Sequence, residues 1–200
     1  LAIGLIFALA RAIPASDRAI RNGGWERYRG VELSSATLGI VGCGSVGRLA
    51  ARAAIGVGMR VVGYDPYPRG DFAPEGFAWD DFDAVFRSAQ FVTLHCPPSD
   101  TPIVTSEVLS QMPDGSYLVN TARSGLVNQE SVLAALESGK LAGYATDAHA
   151  SEPPSDRRLV ENERVIATPH IGGYTSQSVD RAAVAAAENL LEALEETCDA

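Results

Sequence analysis

The 200 residues hold only three cysteines, Cys43, Cys96 and Cys198, far apart and never in a C-x-x-C pair. That scarcity argues against a disulfide framework, leaves no metal-ligating set, and favours a reducing compartment, here the cytoplasm. Positive charge is short as well: 16 Lys and Arg are scattered among 25 Asp and Glu, for a net charge of -9. A phosphate backbone is repelled by such a surface, so no nucleic-acid partner is expected. No apolar run reaches the ~20 residues that cross a bilayer, so no membrane partner is expected either. The opening "LAIGLIFALA" is the longest candidate, and neither a basic segment nor a methionine precedes it, which argues against a signal peptide. It is expected to be a packed helix of a chain that begins inside a larger protein. Internal repeats, low-complexity tracts and interdomain linkers are also missing. With 46% hydrophobic and 20% charged residues, the chain is expected to bury a core as one globular domain over residues 1–200.

What is present is an alternation. Short apolar or β-branched runs fall at "TLGIVG" (37–42), "RVVGYD" (60–65), "FVTLHC" (91–96), "SYLVNTA" (116–122), "GYATDA" (143–148) and "RVIATP" (164–169). Helix-like segments separate them, at "SVGRLAARAAIGVG", "WDDFDAVFRSAQ", "TSEVLSQM" and "NQESVLAALESGK". In the last, Val132, Leu133 and Leu136 recur at helical spacing, Asn128 is placed to cap the start, and Gly139 to close the end. The stretch "PASDRAIRNGGWERYRGVELSS" after the first helix reads as irregular and polar. Nearly all-apolar strands alternating with helices require a parallel sheet covered on both faces. Right-handed crossovers then predict an α/β doubly wound fold of the Rossmann dinucleotide-binding type.

"GIVGCGSVGRLA" sets Gly42, Gly44 and Gly47 as G-x-G-x-x-G between a strand and a helix, the context this pattern needs to be informative. Gly42 permits the tight turn, Gly44 lets the backbone approach a pyrophosphate, and Gly47 lets helix and strand pack closely. Asp65 closes the second strand, where an acid accepts hydrogen bonds from an adenosine ribose. It also repels a 2′-phosphate: a unit charge at 4 Å costs about 1 to 4 kcal/mol for dielectrics of roughly 80 to 20. NAD is therefore expected over NADP, with Arg69 near enough in sequence to soften the preference.

All strand ends of a parallel sheet share one edge, and ligands bind in the crevice there. With six strands in the usual order 3-2-1-4-5-6, strands 1 to 3 hold the adenosine side and strands 4 to 6 the nicotinamide side. Arg123 follows the fourth strand, Asp147 and Glu152 the fifth, and His170 the sixth. Singly, these residues have plainer readings: a solvated charge, an exposed loop acid, a structural histidine. Jointly, they suit the interconversion of a 2-hydroxy and a 2-keto acid. Imidazole handles the proton near neutrality. A carboxylate orients it, and a guanidinium fork grips the substrate carboxylate.

At this point the sequence resembles the D-isomer-specific 2-hydroxyacid dehydrogenases, over nearly its whole length. The resemblance rests on "ALARAIP", "GGWERYRGVELSSATLGIVGCGSVGR", "GMRVVGYDP", "LVNTARSGLVN", "AGYATDAHASEPP" and "VIATPHIGGYTSQS", in that order. It implies NAD as cofactor, a small 2-hydroxy or 2-keto acid as substrate, and three catalytic residues: substrate-binding Arg123, histidine-orienting Glu152 and the acid/base His170. Cofactor contacts are implied at Gly42, Gly44, Ser45, Val46 and Gly47 in the glycine loop and at Asp65. They are also implied at Cys96 and Pro97, at Thr121 and Ala122, and at Asp147, His170 and Gly172, with Asp147 similar to an aspartate that contacts the nicotinamide carboxamide. The first helix, about 1–13, resembles one that crosses between domains. The last, about 175–197 with Val179, Ala183, Ala186, Leu190 and Leu194 on one stripe, resembles the helix leading back. Most of a substrate domain is then expected to lie outside this chain, so that residues 1–200 alone bind NAD but turn over poorly. The segment from Arg11 to Leu33 resembles an arm that packs on a second subunit, implying a homodimer. A loop covering its own domain is the alternative.

The sequence departs from the family pattern in three places. "ARSG" replaces A-R-G-G or A-R-G-x. His149 stands where an aromatic or apolar residue is frequent. "HCPPSDTPIV" lacks the usual E-T pair, and His95 within it is expected to be structural or on the cofactor side. Transcriptional corepressors that resemble the same family and sense NAD without catalysis keep such a triad, so a non-catalytic sensor remains the rival reading.

Overall fold

The computed structural model describes residues 1–68 and 70–198, and of Ala193 and residues 195–198 the backbone alone. Arg69 and the Cys198 side chain therefore lie outside what is described. Seven parallel strands form one sheet: β1 Thr37–Val41, β2 Arg60–Tyr64, β3 Phe77–Trp79, β4 Phe91–Leu94, β5 Ser116–Asn120, β6 Leu141–Thr146 and β7 Val165–Ala167, in the order 3-2-1-4-5-6-7. The α/β doubly wound expectation holds.

Its strand numbering needs correction. The sequence reading missed β3 and counted the 91–96 strand as third, on the outer adenosine side. That strand is instead fourth and pairs directly with β1, Val41 opposite Leu94. The outer place is taken by "FAW", three residues too short to announce a strand, paired Val61 to Phe77 and Gly63 to Trp79. Edge-to-face contacts of Phe77 with Phe72 and Trp79, centroids 4.9 and 5.0 Å apart, hold it there.

Alternation along the strands sends side chains to two cores. Leu38, Ile40, Phe91, Val119 and Ala145 meet α1 (Ala2–Ala10) and α3 (Ser45–Gly56) on one face. Val41, Val92, Leu94, Leu118 and Tyr144 meet α4 (Phe82–Ser88), α5 (Ser106–Gln111) and α6 (Gln129–Glu137) on the other. Burial on both faces explains why the strands read as continuous apolar runs. Asn128 Oδ1 caps α6 by accepting from the Ser131 N–H at 2.9 Å, and Gly139 ends it at φ 79°, both as expected.

The N-terminal reading also changes. The first helix stops at Ala10, and Ala12, at φ 48°, turns the chain into a second helix, α2 Ile13–Arg21, inside the stretch expected to be irregular. Pro14 starts it in the first turn, where a missing N–H costs nothing. None of its residues is buried, and its large apolar side chains, Ile13 and Ile20, face solvent rather than the core. The last helix, α7 Ser176–Cys198, exposes its stripe, Val179, Leu190 and Leu194 included.

Phe86 is fully buried between α4 and the sheet. Phe86→Ala is expected to lower the unfolding free energy by about 3–5 kcal/mol, read as a lower midpoint in urea titration of the protein.

Candidate functional site

Strand register aligns the sheet's edge. Val41 pairs with Tyr64 and Leu94, Leu94 with Asn120, Asn120 with Thr146, and Thr146 with Ala167. The residues that follow, Gly42, Asp65, His95, Thr121, Asp147 and Thr168, therefore leave the sheet side by side.

At the centre of this edge the glycines meet steric demands. Gly42 has φ 92°, and a Cβ there would lie 2.7 Å from the Cys96 nitrogen and the His95 carbonyl carbon. A Cβ on Gly47 would overlap the Gly42 carbonyl. Gly44 is different: a Cβ there would meet no atom within 4 Å, so its backbone borders open space. No side chain caps α3, which leaves the N–H groups of its first turn, from Ser45 to Gly47, facing that space with the positive end of the helix dipole. This cradle suits a diphosphate. Asp65 Oδ2 accepts from the Cys43 N–H at 2.8 Å and Oδ1 from the Tyr67 N–H at 2.9 Å, which aims the carboxylate beside the cradle. Burial, with Asp65 close by, pushes the Cys43 thiol up to about 12, so the loop carries no thiolate.

Arg123 is exposed beyond β5, its Nη1 donating to the Ala122 carbonyl at 2.7 Å. No carboxylate pairs with it among the described residues, so the fork is open to an anion. Its loop is shaped by Asn120, which the sequence reading did not single out. Fully buried, Asn120 donates from Nδ2 to the Arg123 carbonyl at 2.9 Å and accepts the Ala122 N–H at 3.1 Å. Its own carbonyl accepts the Asp147 N–H at 3.0 Å.

Glu152 and His170, 18 positions apart, meet at 2.7 Å between Oε1 and Nδ1. Both are about half exposed, 47% and 48%. An ionised carboxylate only accepts, so Nδ1 carries the proton and Nε2, without a partner among the described residues, is free for chemistry. His170 occupies the left-handed region at φ 53°, which costs a non-glycine residue about 1–2 kcal/mol. The loop is held there by Asp147, only 1% exposed. Its carboxylate accepts the N–H groups of Ile171 at 2.8 Å and Gly172 at 2.7 Å, and the Thr168 hydroxyl. Asp147 thus anchors the histidine loop from below, a role the sequence did not signal. Arg123 bonds to neither Glu152 nor His170; it shares their edge.

His95 lies between the glycine loop and the histidine loop, its Nε2 3.1 Å from the Thr93 hydroxyl. Burial lowers it to about 4, so the ring is neutral at pH 7. A cavity of about 230 Å³ opens behind the 148–156 loop, bounded by Val127, Tyr144, His149 and Leu159. Neither the glycine loop nor His170 lines it.

A model of the D-isomer specific 2-hydroxyacid dehydrogenase NAD-binding domain matches residues 3–172. The chain belongs to this family. It is 38% identical over 198 residues to chloroplastic D-3-phosphoglycerate dehydrogenase 2 of Arabidopsis thaliana, covering 96% of this chain and 32% of that one. It is 35% identical to hydroxypyruvate reductase of Thermotoga maritima, over 97% and 65% of the two chains. Among solved structures, a glyoxylate reductase from Paecilomyes thermophila superposes with a TM-score of 0.91 at 30% identity, over 97% and 60%. The chain thus spans a third to two thirds of these relatives. As a member of the family it carries an NAD-binding domain, and the Gly44 cradle with Asp65 beside it is the part of the structure that fits that cofactor.

Because His95 binds its proton more weakly folded, at about 4, than in the unfolded chain near 6.5, the unfolded state gains the proton first on acidification. Its contribution to stability is complete above pH ~6.5 and is lost as pH falls toward ~4, by at most about 3 kcal/mol. His95→Gln is expected to flatten this part of the stability profile, measured by urea unfolding at several pH values.

Proposed function

We propose that this protein is an NAD-dependent oxidoreductase that interconverts small 2-hydroxy and 2-keto acids. The carrying observation is the Glu152–His170 pair, held on the same sheet edge as the diphosphate cradle. When bound, the nicotinamide supplies or takes up the hydride. The other half of the reaction falls to the chain. In the reducing direction, the His170 imidazolium gives its Nε2 proton to the carbonyl oxygen, while Glu152 stabilises the cation through Nδ1. In the oxidising direction, neutral Nε2 takes the hydroxyl proton. Arg123 offers its unpaired guanidinium to the substrate carboxylate, a planar bidentate match. The remaining cofactor contacts are assigned to Ser45 and Val46 at the cradle, to Cys96, Pro97, Thr121 and Ala122 along the edge, and to Asp147 and Gly172 at the histidine loop. Glyoxylate, hydroxypyruvate, pyruvate, 3-phosphohydroxypyruvate and longer 2-oxo acids, each assayed with NADH, form the panel that identifies the substrate. With the best of them, His170→Ala in the full-length protein is expected to lower turnover by about 10²- to 10⁴-fold with NAD binding retained. Unchanged turnover would reject the assignment. No NADH oxidation with any acid would favour the nucleotide-sensing alternative.

The finer readings are a homodimer and residence in the cytoplasm. The dimer is supported by apolar side chains that α2 and the segment after it leave in solvent: Ile13, Ile20, Tyr28 and Trp25, the last 76% exposed. Light scattering of the full-length protein is expected to give twice the chain mass, reduced toward one chain by Trp25→Glu. Free thiols at Cys43 and Cys96 suit a reducing compartment.

A further inference from the structure

We propose that Asn120 is a positioning residue that acts through Arg123, setting where the guanidinium meets the substrate carboxylate; this rests on the reading of Arg123 above. Arg123 is exposed, on extended backbone at φ -143° and ψ 139°. A long side chain in solvent samples many rotamers unless something fixes its point of rest. That point is the Ala122 carbonyl, which accepts from Nη1 at 2.7 Å. The two residues around this carbonyl are clamped by one amide. Asn120 Oδ1 accepts the Ala122 N–H at 3.1 Å, and Nδ2 donates to the Arg123 carbonyl at 2.9 Å. The Arg123 carbonyl also accepts the Leu126 N–H at 3.2 Å, where extended chain gives way to the short turn Ser124–Leu126.

Asn120 is a rigid base for this clamp. It closes β5, paired with Leu94 on one side and Thr146 on the other, and is fully buried. Its backbone carbonyl accepts the Asp147 N–H at 3.0 Å. Asp147 in turn holds the histidine loop through Thr168, Ile171 and Gly172, and His149 Nε2 lies 2.9 Å from the Thr168 carbonyl of that loop. Arg123 and His170 are therefore both referenced to the ends of β5 and β6, through different side chains. The Asn120 side chain bonds to neither Glu152 nor His170, which bond to each other. Loss of its amide thus loosens the grip on the carboxylate and leaves the proton-transfer pair in place. Both ends of the clamp are met only by a group that donates and accepts at once. An ionised carboxylate meets the Ala122 N–H and turns its second oxygen on the Arg123 carbonyl; a protonated carboxyl, with its O–H, meets both.

That difference supplies the test, made on the full-length protein with its best 2-keto acid. Asn120→Ser, whose hydroxyl is too short to reach the Arg123 carbonyl, is expected to raise KM for the acid about 10- to 100-fold at every pH, with kcat changing far less. Asn120→Asp is expected to match wild type while its carboxyl is protonated, a form favoured by burial and by the neighbouring Asp147 carboxylate. The ratio of its KM to that of wild type is then expected to climb as pH rises. In an Arg123→Ala background neither substitution is expected to raise KM further, because the two residues act as one. A wild-type KM in folded Asn120→Ser, a KM ratio for Asn120→Asp that falls as pH rises, or a full additional loss in the Arg123→Ala background would overturn the proposal. Proton–nitrogen relaxation of the Arg123 Nε–H, identified by its loss in Arg123→Lys, reads the side chain without turnover: ordered in wild type, mobile in Asn120→Ser. Wild-type protein that reduces no 2-keto acid would reject the proposed function, and the relaxation difference would still decide the positioning role, with equal order in the two proteins overturning it.

Discussion

A carboxylate withdrawn from water is costly unless donors surround it, and Asp147 finds its donors on the loop that carries His170. The constraint works in both directions. The buried charge at the end of β6 is tolerable only while Thr168, Ile171 and Gly172 present their N–H and O–H groups to it. Those groups, once committed, leave His170 little freedom to leave its left-handed conformation. Gly172 shows how tight the fit is: a Cβ there would sit 3.0 Å from Asp147 Oδ2. The geometry that places an imidazole beside Glu152 is thus a by-product of satisfying a charge that neither residue bears.

The same logic operates at the other half of the edge. Asp65 is fixed by the Cys43 and Tyr67 N–H groups, so its carboxylate points beside the cradle before any ligand arrives. Because β1 and β4 are neighbours, the chain leaving β4 passes so close to Gly42 that only a glycine fits between them. The two acids, Asp65 and Asp147, are each bound to backbone N–H groups of a neighbouring loop. Each stiffens the loop that does the binding.

Legibility from the sequence followed locality. Gly42, Gly44 and Gly47 could be read because their spacing, six residues in all between a strand and a helix, is itself the signal, although the atoms that exclude a Cβ at Gly42 come from the distant end of β4. Asn128 and Gly139 could be read for the same reason. The sheet edge could be read because shared strand direction brings Arg123, Glu152 and His170 together whatever the details of register. The failures were of two kinds. β3 and α2 are short elements at the margins of the fold: one is a three-residue edge strand stabilised by aromatic neighbours, the other a nine-residue helix whose apolar residues meet no core. Asn120 and the His149–Thr168 bond depend on side-chain reach between strands that are distant in sequence, and no periodicity encodes that. The resemblance to a known family supplied roles for Arg123, Glu152 and His170 but made His149 a mere departure from pattern.

The three histidines show how far surroundings decide what one side chain does. His95, its Nε2 beside the Thr93 hydroxyl, is kept neutral by burial. His149 faces a carbonyl, which forces its proton onto Nε2. His170 faces a carboxylate, which forces its proton onto Nδ1 and frees the opposite nitrogen. Only the third arrangement leaves a lone pair in the open next to a stabilising negative charge. The chemistry at position 170 therefore depends on its partner being an acid rather than an amide carbonyl, since an uncharged acceptor would fix the same tautomer without stabilising the protonated ring.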